Sequence, residues 1–591
     1  MSINDIQKQT NANIQEKANL IWSIATHIVG LYKPHEYGKV ILPFTVLKRF
    51  DDALKATKKA VVDQAKKLNS QGVAGQVRDG ILKSISKYDF YNSSEYDFEM
   101  LASDPENIES NFDDYLQGYS DNVKEIISRF KFADEIKKLA EGNKLYIVLS
   151  EFCSKKADMD PNKITSMDMG YIFEELIRKF SESYDEQAGA HFTSRDIIYL
   201  MTELLVAPER NEIRKNGCVK TAYDMAMGTS QMLGCLTEKL LEINEDADLT
   251  CFGQEFNPET YAIAKADMLI KGGNASGMKF GDTLDNDQFT GYEFDYIISN
   301  PPFGIDWKSE KTAVEKEAKL GFDGRFGPGL PAIGDGQLLF MLNGVKKLKS
   351  NGRMAIIQNG SSLFNGDAGS GPSEIRKYLI GNDLVETIIQ LPNDLFYNTG
   401  IATYIWVVTK DKASDRSGKV QLIDASKCYE KRRKNIGSKR VDLTDDCIEL
   451  IMKAYNEFEN NEYNKNGLVV ESKVFENEYF GYTKVVVETP ILDENGNPVL
   501  KKGKPQADSS KKDTEIIPLL DGIEEYFNKN VTPYNPLAWM DRNKDKVGYE
   551  IPFTRIFYKF VEPKSSDEIF NEIKELELEE TRLMKELFGH E

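Results

Sequence analysis

Phe294-Asp295-Tyr296-Ile297-Ile298-Ser299-Asn300-Pro301-Pro302-Phe303 is an apolar run that stops on two prolines. Residues 294–299 read as a buried strand, which puts the Asn-Pro-Pro-Phe tetrapeptide at its carboxyl end, where open α/β sheets build their sites. The residue types suit one chemistry. An exocyclic amine conjugated to an aromatic ring or carbonyl is a poor nucleophile because its lone pair is delocalised, so it must be held while the nitrogen pyramidalises toward an electrophile. The Asn300 side-chain oxygen and the Pro301 carbonyl can accept the two N–H bonds, Pro301 and Pro302 stiffen the backbone that aims them, and Phe303 can stack on the planar group. The bland alternative is a strand ended by a Pro-Pro turn and an aromatic plug.

Upstream of this strand, short β-rich runs alternate with helical ones. Val219 to Tyr223 precedes a helix through Leu233 to Leu241, and Thr250 to Gln254 precedes a helix through Tyr261 to Ile270. Such alternation predicts βαβ units around a parallel sheet, which Met354 to Gln358 and Thr403 to Val408 can extend. Three features fall in register with its strand ends. Asp224-Met-Ala-Met-Gly228-Thr229-Ser230 follows the first strand, where a glycine lets a cofactor approach the backbone. Glu255 ends the next strand, where a carboxylate can grip a ribose diol, and Asp282 follows as an acceptor for an adenine amine. Taken singly, each acidic residue reads as a helix cap or a solvated carboxylate. Taken together they predict a cofactor that contains a nucleoside. Gly304 to Gly336 reads as a long connector, more often a lid or binding loop than filler.

The order Gly189-Ala-His-Phe192-Thr193-Ser194-Arg195, Asp224 to Gly228, Glu255, Asp282, then Asn300 to Phe303 resembles DNA amino-methyltransferases that use S-adenosylmethionine. More narrowly it resembles the modification subunit of type I restriction-modification systems, with support from Phe322-Asp-Gly-Arg-Phe326-Gly, Leu391 to Gly400 and Gly352-Arg353 leading into Gln358-Asn359-Gly360. The resemblance covers about residues 10 to 475. It implies an α/β, Rossmann-like methyltransferase sheet with a helical N-terminal domain and a C-terminal helical extension. It also implies that Asn300, Pro301, Pro302 and Phe303 hold the N6 amine of a flipped adenine. Phe192 and Thr193 would border the methionine part of the cofactor, Asp224, Gly228 and Thr229 would line its pocket, Glu255 would bind its ribose and Asp282 its adenine. The implied partners are double-stranded DNA, a specificity subunit bound by two copies of this chain, and a restriction subunit. No metal is required. The family reads Asp-Pro-x-Cys-Gly-Thr-Gly-Gly where this chain has Asp224 to Gln231, so Ser230 and Gln231 replace glycines, which predicts a more crowded approach for the cofactor.

Composition bounds the rest. With 40% apolar and 29% charged residues over 591 positions, the chain is in the globular range, which excludes wholesale disorder and collagen-like repetition. No apolar stretch approaches the roughly 20 residues that span a bilayer. The start, Met1 to Gln9, lacks the layout of a secretory signal, and six scattered cysteines without a CxxC pair argue against a disulfide framework, so a cytoplasmic location is expected. At net charge −20 the chain alone should repel nucleic acid, which predicts that another subunit supplies positive surface. The basic run Lys431-Arg-Arg-Lys434 with Lys439-Arg440 stands against that background; its default reading is a solvated face, with a phosphate or subunit contact as the alternative. His191 and the other three histidines read as structural or exposed.

The organisation expected is a helical domain over 1–165, a catalytic domain over 166–475 and a region over 476–591. The last ends in an acidic helix whose Ile569, Ile573, Leu576, Leu583 and Leu587 form a narrow apolar seam, for subunit contact or, equally, for packing on its own domain. No phosphate-binding loop of the ATPase type is found, and nothing resembles a base-reading module. Two other functions remain open: methylation of protein glutamine or ribosomal RNA guanine, and a non-catalytic assembly subunit with a degraded cofactor loop.

Overall fold

The computed structural model describes residues 17–164, part of 168–179, and residues 193–397, 399–436, 438–560 and 562–589. A ten-stranded sheet organises it. Its strands are β1 (Val219–Asp224), β2 (Asp248–Glu255), β3 (Met278–Phe280), β4 (Phe294–Ser299), β5 (Leu348–Asn359), β6 (Val385–Gln390), β7 (Thr403–Thr409) and β8 (Lys419–Lys427). After a separate hairpin of β9 (Glu430–Ile436) and β10 (Lys439–Asp442) come β11 (Asn461–Lys465) and β12 (Leu468–Glu476). The spatial order is β11-β12-β8-β6-β7-β5-β4-β1-β2-β3. β3, β2, β1, β4 and β5 run parallel, while β7 is wedged antiparallel between β5 and β6. The strand order reverses between β1 and β4, so the carboxyl ends of these two strands flank a switch-point crevice.

Burial explains why these runs are strands. Every residue of β4 and of β7 is buried, as expected for strands covered on both faces. The helices of the βαβ units run Gln231–Ile243 and Pro258–Ile270; the second starts on Asn257, whose side chain accepts from the Glu259 and Thr260 N–H groups.

The stretch from Gly304 to Gly336 is not an irregular connector: it contains the helix Lys311–Ala318 and a short turn at Gly321–Asp323. Its ends are clasped, with the Gly336 N–H donating to the Ile305 carbonyl at 3.1 Å. In the N-terminal region the helices Asp121–Arg129 and Phe132–Glu141 are separated by a break where Lys131 takes φ +51°.

In the N-terminal region, Ala18, Ile21, Ile24, Ala25 and Ile28 recur at helical spacing and are buried, with Leu20 half-buried beside them. Its centre is Phe44, on the helix Gly38–Leu54, whose ring meets those of Phe98, Phe112, Phe132 and Phe152 at 4.9–6.4 Å. Glu125 ties this region to the sheet by accepting from the Tyr261 hydroxyl at 3.0 Å and pairing with Lys265 at 2.7 Å. Beyond β12, a small antiparallel sheet forms around the strand Gly481–Glu488.

Residues 552–591 form a second compact unit. Its helix, Ser566–Phe588, starts on a reciprocal cap between Ser565 and Glu568, and Ile569, Ile573, Leu576, Leu583 and Leu587 are all exposed. Among the described residues, no helix is long and apolar enough to cross a membrane.

Candidate active site

The carboxyl end of β4 sets the first half of the site. Pro301 is buried, and Asn300, Pro302 and Phe303 are half-buried, with Phe303 leaning on the core. The Asn300 amide is oriented from one side: its Nδ2 donates to Thr193 Oγ1 at 2.8 Å. Its Oδ1 is buried and, among the described residues, has no hydrogen-bond partner. A buried amide oxygen without a donor leaves its desolvation cost uncompensated until something arrives to bond it. Thr193, read from the sequence as a border of the cofactor, sits against the tetrapeptide through its bond with Asn300 Nδ2.

The second half lies at the ends of β1 and β2. Asp224 Oδ1 accepts from the Ser299 hydroxyl at 2.7 Å and from the Ala226 N–H at 3.1 Å, so it ties the end of β1 to the residue just before Asn300. Burial pushes its carboxyl up to about 7; Glu255 adds to the rise and the two hydrogen bonds oppose it. Glu255 is buried and clamps two backbone turns: Oε2 accepts from the Gly228 N–H at 2.8 Å and Oε1 from the Asn257 N–H at 2.7 Å. Each oxygen keeps a lone pair for a further donor.

Gly228 takes φ +52°, which suits a glycine, and Thr229 is buried beside it. Ser230 takes φ +68°, a left-handed conformation that costs a residue with a Cβ about 1–2 kcal/mol. Its hydroxyl is buried and has no partner among the described residues. The substitution of glycine thus leaves the turn in the glycine conformation, with a side chain carried inside it. Asp282 behaves in part as the loop carboxylate that is its bland reading: Oδ1 accepts from the Leu284 N–H at 2.7 Å and the Asp285 N–H at 3.2 Å, and burial raises its pKa. It joins the others because the Gly281 N–H donates to the Glu255 carbonyl at 3.0 Å. Phe192 and His191 lie outside the described residues.

Several residues here were not singled out from the sequence. Gln254 pins the loop after β3, donating to the Gly281 and Asn286 carbonyls at 3.2 and 2.8 Å and accepting from the Gln288 N–H at 3.2 Å. Arg325, from the stretch after β4, donates to the Thr283 and Leu284 carbonyls at 2.6 and 3.1 Å while Glu317 pairs with it at 2.7 Å. Phe256, directly after Glu255, is 65% exposed. An apolar ring left in water beside a strand-end carboxylate is a signal that the sequence carried, since Phe256 interrupts an otherwise polar turn.

The N-6 DNA methylase pattern matches residues 165–494, and the HsdM N-terminal domain pattern matches residues 17–152. The chain belongs to the N-6 DNA methylase family. Within that family, a type I restriction enzyme MjaIX methylase subunit of Methanocaldococcus jannaschii is 25% identical over 546 residues, covering 87% of this chain and 90% of the relative. The type I restriction enzyme HindI methylase subunit of Haemophilus influenzae is 29% identical over 261 residues, covering 44% of this chain and 54% of the relative. Among solved structures, a type I restriction-modification methyltransferase subunit from Streptococcus thermophilus aligns with a TM-score of 0.60 at 22% identity, covering 79% of this chain and 97% of that one. That likeness is one of fold: the α/β sheet of this N-6 DNA methylase is that of known methyltransferases.

Proposed function

We propose that this chain is the modification subunit of a type I restriction-modification complex, methylating the N6 amine of adenine in duplex DNA with S-adenosylmethionine as donor. The observation that carries the reading is the buried, unpartnered Asn300 oxygen at the switch point of an N-6 DNA methylase fold.

The residues at the ends of β1 and β2 fit the donor. In this reading Glu255, with a lone pair left on each oxygen, takes the ribose hydroxyls, Gly228 lets the donor approach the backbone, Asp282 accepts from its adenine amine, and Thr229, Thr193 and Phe192 complete the pocket. Bound S-adenosylmethionine supplies an electrophilic methyl on a sulfonium. The chain's own part is positional: Asn300 Oδ1 accepts one N–H of a flipped adenine, the Pro301 carbonyl accepts the other, Pro302 stiffens the turn and Phe303 stacks on the ring. Holding both hydrogens away from the purine plane localises the nitrogen lone pair toward the methyl group.

Net charge −20 supports reliance on other chains for most of the DNA affinity. In this reading, two copies of the chain join a specificity subunit that chooses the DNA sequence, and a separate restriction subunit cleaves. Residues 1–165 act as an N-terminal domain, 166–475 as the catalytic domain, and 476–591 as a region whose last helix makes a subunit contact.

The test is transfer of labelled methyl to duplex DNA by the complex assembled with its specificity subunit. Asn300→Ala is expected to reduce turnover at least ~10²-fold while assembly persists. Unchanged turnover in that variant overturns the reading. Label entering protein glutamine or ribosomal RNA would reassign the substrate, and failure of the complex to bind S-adenosylmethionine by calorimetry would favour the assembly-only alternative that Ser230 and Gln231 raise.

A further inference from the structure

The basic run has no part in the chemistry just described, yet the fold treats it as more than a solvated face. β9 and β10 form an antiparallel hairpin apart from the main sheet, and residues 430–442 hold six basic side chains against Glu430 and Asp442. The side chains divide by task. Lys439 is an anchor: its ammonium is almost wholly buried and bonds Asp196 at 2.9 Å, Ser194 Oγ at 3.1 Å and the Leu395 carbonyl at 3.1 Å. Arg432 pairs with Asp442 across the hairpin. Lys431, Arg433 and Arg440 are exposed, and among the described residues no carboxylate pairs with any of them.

The anchor fixes where those three charges stand. The Ser438 N–H donates to the Tyr397 carbonyl and the Arg440 N–H to the Asp394 carbonyl, both at 2.8 Å, while the Leu443 N–H donates to Asp196 at 2.9 Å. Ser194, which Lys439 holds, directly follows Thr193, which holds Asn300. The hairpin is thus fastened to the corner that aims the Asn300 amide. Burying an ammonium in this way is costly unless every proton is matched, as it is here, and the outcome is a rigid basic arm beside the tetrapeptide. In a chain with a large acidic excess, such an arm has one complementary surface near a flipped base: the phosphodiester backbone on either side of it.

We propose that the hairpin 430–442 is a phosphate clamp, with Lys431, Arg433 and Arg440 engaging the DNA backbone next to the nucleotide that Asn300 receives. The proposal rests on the DNA reading above. Contacts of this kind position the duplex without reading its sequence, which matches a chain with no base-reading module.

The test uses the complex assembled with its specificity subunit and a fluorescent duplex carrying its recognition site. Wild type is compared with the triple variant Lys431→Gln, Arg433→Gln, Arg440→Gln and with a charge-preserving triple, Lys431→Arg, Arg433→Lys, Arg440→Lys. Each lost phosphate contact lowers the slope of log affinity against log salt by about 0.9, so the neutral triple should lose about 2.7 from that slope. Its affinity at ~0.1 M salt should fall about tenfold or more. The charge-preserving triple should keep the slope, and the assembled mass and S-adenosylmethionine affinity should not change in either. Equal slopes for wild type and the neutral triple overturn the clamp alone. Loss of assembly in the neutral triple also overturns it, because the arm then contacts a subunit. A wild-type complex that neither binds nor methylates DNA overturns the parent reading and the clamp with it.

Discussion

Thr193 and Asn300, separated by 107 positions, are joined by a 2.8 Å hydrogen bond that turns the Asn300 amide so that its oxygen is the free end. In the proposed reaction this makes Thr193 a positioning residue for Asn300. Thr193→Val removes a bond worth about 1 kcal/mol, which should lower kcat roughly fivefold to tenfold with the Kd for S-adenosylmethionine unchanged. Single-turnover kinetics beside calorimetry checks this. If the variant instead keeps kcat and loses cofactor affinity, Thr193 belongs to the cofactor side, as its place in the sequence suggested.

Ser230 offers a test of stored strain. Relief of the left-handed conformation contributes about 1–2 kcal/mol, and the looser unfolded chain of a glycine variant takes back about 0.4–1 kcal/mol. Ser230→Gly should therefore stabilise the protein by roughly 1 kcal/mol and also remove the unpartnered hydroxyl. Denaturant titration and cofactor binding, run in parallel, measure both consequences. A destabilised variant would mean that the Ser230 side chain packs favourably enough to outweigh its backbone.

The sheet and the crevice were readable from the sequence because β1 and β2 are β-rich runs alternating with helical ones, β4, β7 and the second half of β5 are largely apolar, and the tetrapeptide sits at a strand end. β6 was not, and its composition shows why. Val385-Glu-Thr-Ile-Ile-Gln390 carries a glutamate at its second position, and a charge there argues against a buried strand until its partner is known. That partner is Arg353 on β5, at 2.5 Å from Glu386, with the Tyr455 hydroxyl closing the triangle at 2.6–2.7 Å. Such a pairing depends on tertiary contacts 33 and 69 residues away, which no local pattern records. The roles of Gln254 and Arg325 were hidden for the same reason: both work by bonding backbone carbonyls of another loop. In the site, the sequence order placed Asp224, Glu255 and Asn300 at strand ends; the Asn300 orientation came only with Thr193.

The same triangle yields a stability prediction. Glu386→Ala leaves the Arg353 guanidinium buried without its carboxylate and should cost about 3–5 kcal/mol. Burial alone would raise the Glu386 pKa, but the charges of Arg353 and Arg416 and its hydrogen bonds hold it below the ordinary carboxylate value. A depressed folded-state pKa means that this contribution is present above the unfolded value and is lost as pH falls through the folded one. Thermal unfolding of wild type and variant should accordingly converge toward acid pH; a constant gap would assign the loss to packing.

Asp224 has the opposite sign. Its folded-state pKa, about 7, lies above its ordinary 3.8, so its contribution to stability is fully present below about 3.8 and declines as pH rises toward 7. Asp224→Asn should flatten that decline, with a smaller fall in Tm between about pH 5 and 7 than in wild type. An identical pH profile would show that Asp224 ionises in the fold as readily as in the unfolded chain.

The exposed seam of the last helix has a cost for the cell. Ile569, Ile573, Leu576, Leu583 and Leu587 in water present the kind of greasy strip that quality-control proteases and holdases recognise. Left bare, such a strip lowers solubility, and any association that shields it lowers the free energy of the chain.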